Sequence, residues 1–281
     1  MQEELASEFT MKDLGLMHYF LGLEVWKKAG EIFLYQGKYV VKILERFGMV
    51  DYKPVTTPME INFKNLCGSA SGPKLGNASE YHQLIGALMF LVNSHMDICF
   101  IVNTLSQNMV EPHHTHWIGA KNLLRYLRGK ITHGLRYTSG DVRQHGYSDV
   151  AWGDNVVDRK RNYGSCFSLG STSILWVSTK QKTVSLSTVE VEYITSIMAS
   201  YEVVRLRKVF SELFGHVMDT TVILCDNQSG IQLSENLVFH DHSKHIDIRY
   251  QFIWDMVKRG EIRLHHIGID EKVANILTKP L

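Results

Sequence analysis

The chain has 281 residues, with 30 Lys+Arg against 29 Asp+Glu for a formal net charge of +1. It is 44% hydrophobic and 21% charged, the proportions of a soluble globular protein of one large or two ordinary domains. No overall basic footprint announces nucleic acid.

Four cysteines, Cys67, Cys99, Cys166 and Cys225, include no Cys-x-x-Cys pair, so neither a zinc ribbon nor a dense disulfide framework is expected. The polar, acidic start "MQEELASEFTMKDLG" is not that of a signal peptide. The longest apolar run, Leu84 to Val92, is too short to span a bilayer. The expectation is an intracellular protein, cytoplasmic or nuclear, with reduced thiols and no membrane partner.

In chain order, residues 10–60 predict a strand pair turning at Ala29-Gly30, then an amphipathic helix, "KYVVKILERFGM", closing at Gly48. The Gly- and Ser-rich stretch 67–78 reads as a linker, and residues 79–110 as helix with the apolar run buried. Residues 116–130 show the best helical periodicity. Trp117, Ala120, Leu124 and Leu127 fall on one face, and Lys121, Arg125 and Arg128 on a neighbouring basic face. That face reads as solvated, or more sharply as a phosphate-contacting surface. His113, His114 and His116 read as a surface turn.

Beyond Gly140 the texture changes. "HGYSDVAW", "YGSCFSLG" and "SILWVSTK" predict an antiparallel meander, followed by a long helix over 187–214. The strand "TVILC", a short helix, a helix near 247–259, the strand "IRLHHIGI" and a closing helix complete the chain. Strands first and helix–strand alternation afterwards imply a mixed sheet with helices packed on it.

Three carboxylates stand out. Asp226 ends the strand Val222–Cys225, where it either caps the next helix or holds a metal. Ser187 and Glu190 match a capping box, which leaves Glu192 without a structural task; alone it reads as solvated. Thr195, Ser196 and Ala199 share its helical face and are small enough to let that helix approach a sheet. Asp149 is a charged residue inside the first meander strand. Together the three suit a two-metal site, in which oxygen ligands bind hard cations.

The stretches "GYSDVAWGDNVVDRKRNYGSCFSLG", "LSTVEVEY", "LCDNQSGIQL", "VFHDHSKHIDIRYQFI" and "VANILTKPL" resemble the ribonuclease H domain of copia-type LTR retrotransposon polyproteins. Upstream, "FTMKDLGLMHYFLGLEV", "PVTTPM", "YHQLIGALMFLV" and "LLRYLRG" are similar to the end of the copia-type reverse transcriptase and its connection to that domain. The resemblance runs in order over nearly the whole chain. It implies an α/β, ribonuclease H-like five-stranded mixed sheet with flanking helices over 141–281. Before it would come a reverse transcriptase remnant (1–66), the linker (67–78) and a helical connection (79–140). The implied activity is cleavage of RNA in RNA–DNA hybrids, using two Mg²⁺ or Mn²⁺ ions held by Asp149, Glu192 and Asp226. Asn275 stands at the fourth catalytic position, and Asn227, Lys244 and His245 would contact the substrate. The partners implied are the hybrid and the remaining polyprotein domains. Closely spaced His240, His242 and His245 lack a fourth zinc ligand, and the family carries "KHIDIRY" here without one.

The departures are definite. The family's paired-aspartate polymerase motif is expected upstream of "FTMKDLG" and is not in this chain. Asn275 stands where the family has Asp, Ala151 where a second Asp is usual, and the chain stops at Leu281, short of the usual tail. The rival readings are a catalytically decayed hybrid-binding or inert pseudogene product, and a structural partner using the basic face at 121–128.

Overall fold

The computed structural model describes residues 10, 15–59, 72–140, 142–150, 161–181, 188–215, 218–226, 228, 231–232, 244–268 and 271–280, with backbone alone at 188–193 and 244–250. The capping pair Ser187 and Glu190, Ala151, Asn227, His240 and His242 fall outside the described side chains.

The first sheet is antiparallel, in the order β1 (Tyr19–Phe20), β2 (Leu23–Lys28), β3 (Glu31–Tyr35) and β4 (Gly134–Thr138). Residues 134–138 thus add a strand to a stretch expected to be helical. The turn between β2 and β3 falls at Ala29-Gly30, with Gly30 at φ +74°, a conformation open to Gly without a Cβ clash. Helix α1 (Gly37–Arg46) stops at Gly48 as expected. The Gly48 amide donates to the Glu45 carbonyl and the Met49 amide to that of Leu44, the paired bonds of a Schellman stop.

Residues 79–110 form two helices rather than one: α2 (Ala78–Leu91) and α3 (Cys99–Ser106), with a 3₁₀ turn at Met96–Ile98 between them. The Asn93 side-chain amide donates to the Phe90 carbonyl at 3.1 Å, and the Ser94 and His95 amides both donate to the Leu91 carbonyl at 3.1 Å. Short polar side chains that bond nearby backbone compete with helix propagation. No Gly or Pro marks the break, so the apolar run conceals it.

Helix α4 (His114–Arg128) buries Ala120, Leu124 and Leu127 against Val40 and Leu44 of α1, Leu84 and Leu88 of α2, and Ile101 of α3. Truncating any of these leucines to Ala should cost about 2–5 kcal/mol. The basic face ties the fold together. Arg125 Nε donates to the Lys53 carbonyl at 2.9 Å, Arg128 Nε donates to that of Val50, and Lys121 lies 5.2 Å from the Trp117 ring centroid. His113 and His116 are buried, contrary to the surface turn expected. The His113 amide donates to His116 Nδ1 at 2.9 Å, a capping box made with imidazole, which the usual Ser/Thr-x-x-Glu pattern does not reveal.

The second sheet has the order β7–β6–β5–β8–β9. Strands β5 (Gln144–Val150), β6 (Asn162–Leu169) and β7 (Thr172–Lys180) form the expected antiparallel meander. Strand β8 (Thr221–Cys225) runs parallel to β5, and β9 (Ile262–His266) parallel to β8. Helices α5 (Thr188–Phe214) and α6 (Lys244–Lys258) cover one face through Ile197, Val203, Ile253 and Met256, which meet Phe167, Ile223 and Leu264 of the sheet. The other face is closed by Cys99 of α3 and by Ala274 and Leu277 near the C-terminus, packed on Cys166. This is the ribonuclease H-like mixed sheet with flanking helices that the resemblance implies. The closing element is a 3₁₀ turn, Val273–Leu277, rather than an α-helix. Bonds of i→i+3 type wind it tightly, from the Asn275 amide to Lys272 and from the Thr278 amide to Asn275. The chain then meets Pro280, which disfavours α geometry in the residue before it.

Candidate active site

The parallel register of β5 and β8 pairs His145 with Val222 and Tyr147 with Leu224. Continued by two residues, it sets Asp149 level with Asp226, just past the end of β8. Neighbouring strands lie about 4.8 Å apart, so carboxylates at one level repel unless a cation stands between them. Here that cation is Lys272. Its ammonium donates to Asp149 Oδ1 at 2.5 Å and to Asp226 Oδ2 at 2.7 Å. The Thr278 hydroxyl donates to Asp149 Oδ2. The Lys272 side chain is 1% exposed and that of Asp149 7%, whereas Asp226 keeps 34% of its surface in solvent.

The closing turn delivers these groups because β6 leaves room for it. Gly164 pairs with Asp149 across the ladder. A Cβ at Gly164 would fall 2.6 Å from Leu277 Cβ and 2.9 Å from Thr278 Cγ2. Ser178 on β7 adds a hydrogen bond from its Oγ to the Leu277 carbonyl at 2.6 Å. Asn275 lies within that turn, between Lys272 and Thr278 in sequence. Asn275 is half-buried there.

From the opposite side α5 approaches on small residues, as the sequence predicts. Thr195 and Ser196, each 2% exposed, line a small cleft with Asp149 and Asp226. Glu192 lies one helical turn earlier on α5, and its side chain is outside the described residues. Asn227 and the side chains of Lys244 and His245 are outside them too. Two of the three expected carboxylates therefore meet among the described residues, together with two residues that sequence reasoning missed. Lys272 in "DEKVAN" looks like a solvated charge, and Thr278 like an ordinary turn residue.

The chemistry of the site is that of oxygen donors. Burial pushes the Cys166 thiol up to about 12 and that of Cys99 up to about 11, so neither offers a thiolate at neutral pH. The shared ammonium is a stand-in: Asp149 Oδ1 and Asp226 Oδ2 are placed to hold one cation jointly. Carboxylate oxygens are the donors that Mg²⁺ and Mn²⁺ take, so these residues fit a divalent ion.

A sequence model of reverse transcriptase (RNA-dependent DNA polymerase) matches residues 1–61. The retrovirus-related Pol polyprotein from transposon RE1 of Arabidopsis thaliana is 37% identical over 280 residues, 99% of this chain. The chain spans 19% of the length of that polyprotein. An uncharacterized mitochondrial protein of the same plant is 36% identical over 191 residues, covering 68% of this chain and 78% of its own length. Among solved structures, LC11-RNase H1 in complex with an RNA/DNA hybrid overlaps 48% of this chain and 94% of its own, with a TM-score of 0.37 and 12% identity. In sequence from end to end, the chain belongs to the copia-type retrotransposon Pol polyproteins.

Proposed function

We propose that this protein is a ribonuclease H that hydrolyses the RNA strand of RNA–DNA hybrids, with Asp149 and Asp226 at the centre of the reaction. The observation that carries this reading is the pair of aspartates, on adjacent parallel strands, placed to share one cation. Membership of a Pol polyprotein family adds to it, since such a family works on nucleic acid.

Asp149, Asp226 and Glu192 would hold two Mg²⁺ or Mn²⁺ ions. When bound, such ions activate water and stabilise the departing oxygen, giving a 3′ hydroxyl and a 5′ phosphate. The chain's own residues fix the geometry: β5 and β8 set the two aspartates at one level, and Thr278 orients the Asp149 carboxylate. Asn275 occupies the family's fourth acidic position with an amide oxygen and no charge. Asn227, Lys244 and His245 are assigned to contacts with the hybrid, which is recognised through groove shape, 2′-hydroxyls and phosphates rather than base sequence.

Residues 141–281 form the nuclease unit in this reading. Residues 1–66 represent the end of a reverse transcriptase, 67–78 a linker and 79–140 the connection. The chain contains no pair of adjacent aspartates, so template-directed primer extension is not expected of it. The remaining polyprotein domains are its natural partners.

The test uses a hybrid labelled on its RNA strand. Cleavage should require a divalent ion, and Asp149→Asn or Asp226→Asn should abolish it. Single variants that cut as fast as the parent would remove these residues from the mechanism. Hybrid binding without cleavage by the parent would favour the decayed, binding-only alternative.

A further inference from the structure

The position between Asp149 and Asp226 is filled by the chain itself. Lys272 Nζ lies 2.5 Å from Asp149 Oδ1 and 2.7 Å from Asp226 Oδ2, and the Thr278 hydroxyl takes the remaining oxygen of Asp149. A divalent ion bound by the same oxygens would sit about 2.0–2.1 Å from them. It could not share them with an ammonium in contact, because two cations would then stand within a few ångströms in a buried place. A lysine whose side chain is 1% exposed has given up most of its hydration, and the two carboxylates are what repay it. Lys272 directly precedes the 3₁₀ turn, as its N-cap residue.

We propose that Lys272 is a resident cation of the aspartate pair: it neutralises Asp149 and Asp226 when no metal is bound and is expelled when a divalent ion takes its place. The lysine thereby sets the metal concentration at which the site loads. This inference rests on the metal-dependent reading above and adds a competitor to it. The internal ammonium is present at a fixed high effective concentration, so it weakens metal binding without weakening the donors.

Two measurements test it. Isothermal titration with Mg²⁺ alone should show Lys272→Gln binding about tenfold or more tightly than the parent, about 1.4 kcal/mol or more. In the unaltered protein, amine acylation mapped by mass spectrometry should leave Lys272 unlabelled in EDTA and label it at saturating Mg²⁺. The second measurement needs no variant, so it decides the matter even where Lys272→Gln fails to fold. Equal Mg²⁺ affinity of the two proteins, or Lys272 labelling that ignores Mg²⁺, overturns the proposal and leaves the metal reading intact. Mg²⁺ binding by neither protein overturns the metal reading itself, and the proposal with it.

Discussion

Replacing Asp149 by Asn in the metal-free protein isolates the energetics of the Lys272 bridge. The change preserves shape and the Thr278 hydrogen bond but removes one of two charges facing an ammonium whose side chain is 1% exposed. Breaking a buried pair from one side costs about 3–5 kcal/mol. Asp226 stays 2.7 Å from the ammonium but is 34% exposed and partly hydrated, so the low end, about 3 kcal/mol, applies here. Lys272→Met should cost a similar amount, because it leaves two carboxylates at one level with no cation between them. The double variant leaves only Asp226, which water can solvate, so it should be no less stable than either single. The coupling energy is then about 3 kcal/mol or more. Urea denaturation at pH 7 in EDTA, followed by circular dichroism, gives the four values of the cycle. Additive single costs would refute the bridge, and so would costs below about 0.5 kcal/mol, which are those of ordinary surface changes.

Three further outcomes follow from particular contacts. Gly164→Ala drives a methyl group into Leu277 and Thr278; urea melts should show a loss of about 1–3 kcal/mol, and hybrid cleavage should fall with it. Asn275→Asp adds a fourth negative charge to the site and should lower the Mg²⁺ needed for half-maximal cleavage by on the order of tenfold; superimposable titrations would place Asn275 outside the site. The third concerns Asp97, where burial favours the neutral acid but hydrogen bonds from His95 and Tyr126 outweigh it and hold the carboxyl below its usual range. A depressed carboxyl contributes stability that is present above its unfolded value, about 3.9, and is lost as pH falls through the folded value. Tyr126→Phe removes the hydroxyl 2.5 Å from Asp97 Oδ2, so it should cost about 1.5–3 kcal/mol at pH 7, and the difference between the two proteins should shrink below pH 4.

What the sequence made legible was whatever local chemistry writes down. Gly30 and Gly48 announce a turn and a helix stop because both need positive φ. The alternation of β5 to β7 and the small residues of α5 announce a sheet with a helix pressed onto it. Asp149 and Asp226 could be singled out because each is a charge in an apolar setting, although their meeting depends on the β5–β8 register, which no local pattern fixes. Lys272 was not legible: it follows two acidic residues, Asp270 and Glu271, as a solvated charge would, and 123 residues separate it from Asp149. The break at 93–95 was hidden because it is made by side-chain hydrogen bonds of Asn93 and by the clustered amides at Leu91, not by Gly or Pro. His113 was misread for the same kind of reason, since its ring meets the Gly72 carbonyl, a contact 41 residues away in sequence.

The most direct test of the account is single-turnover cleavage of one labelled RNA, presented in a hybrid with DNA and alone, by the purified protein with Mg²⁺ and with EDTA. The RNA should be cut in the hybrid only and with Mg²⁺ only, leaving 5′ phosphate ends. Cutting that persists in EDTA, or that is equally fast on the free RNA, would contradict it.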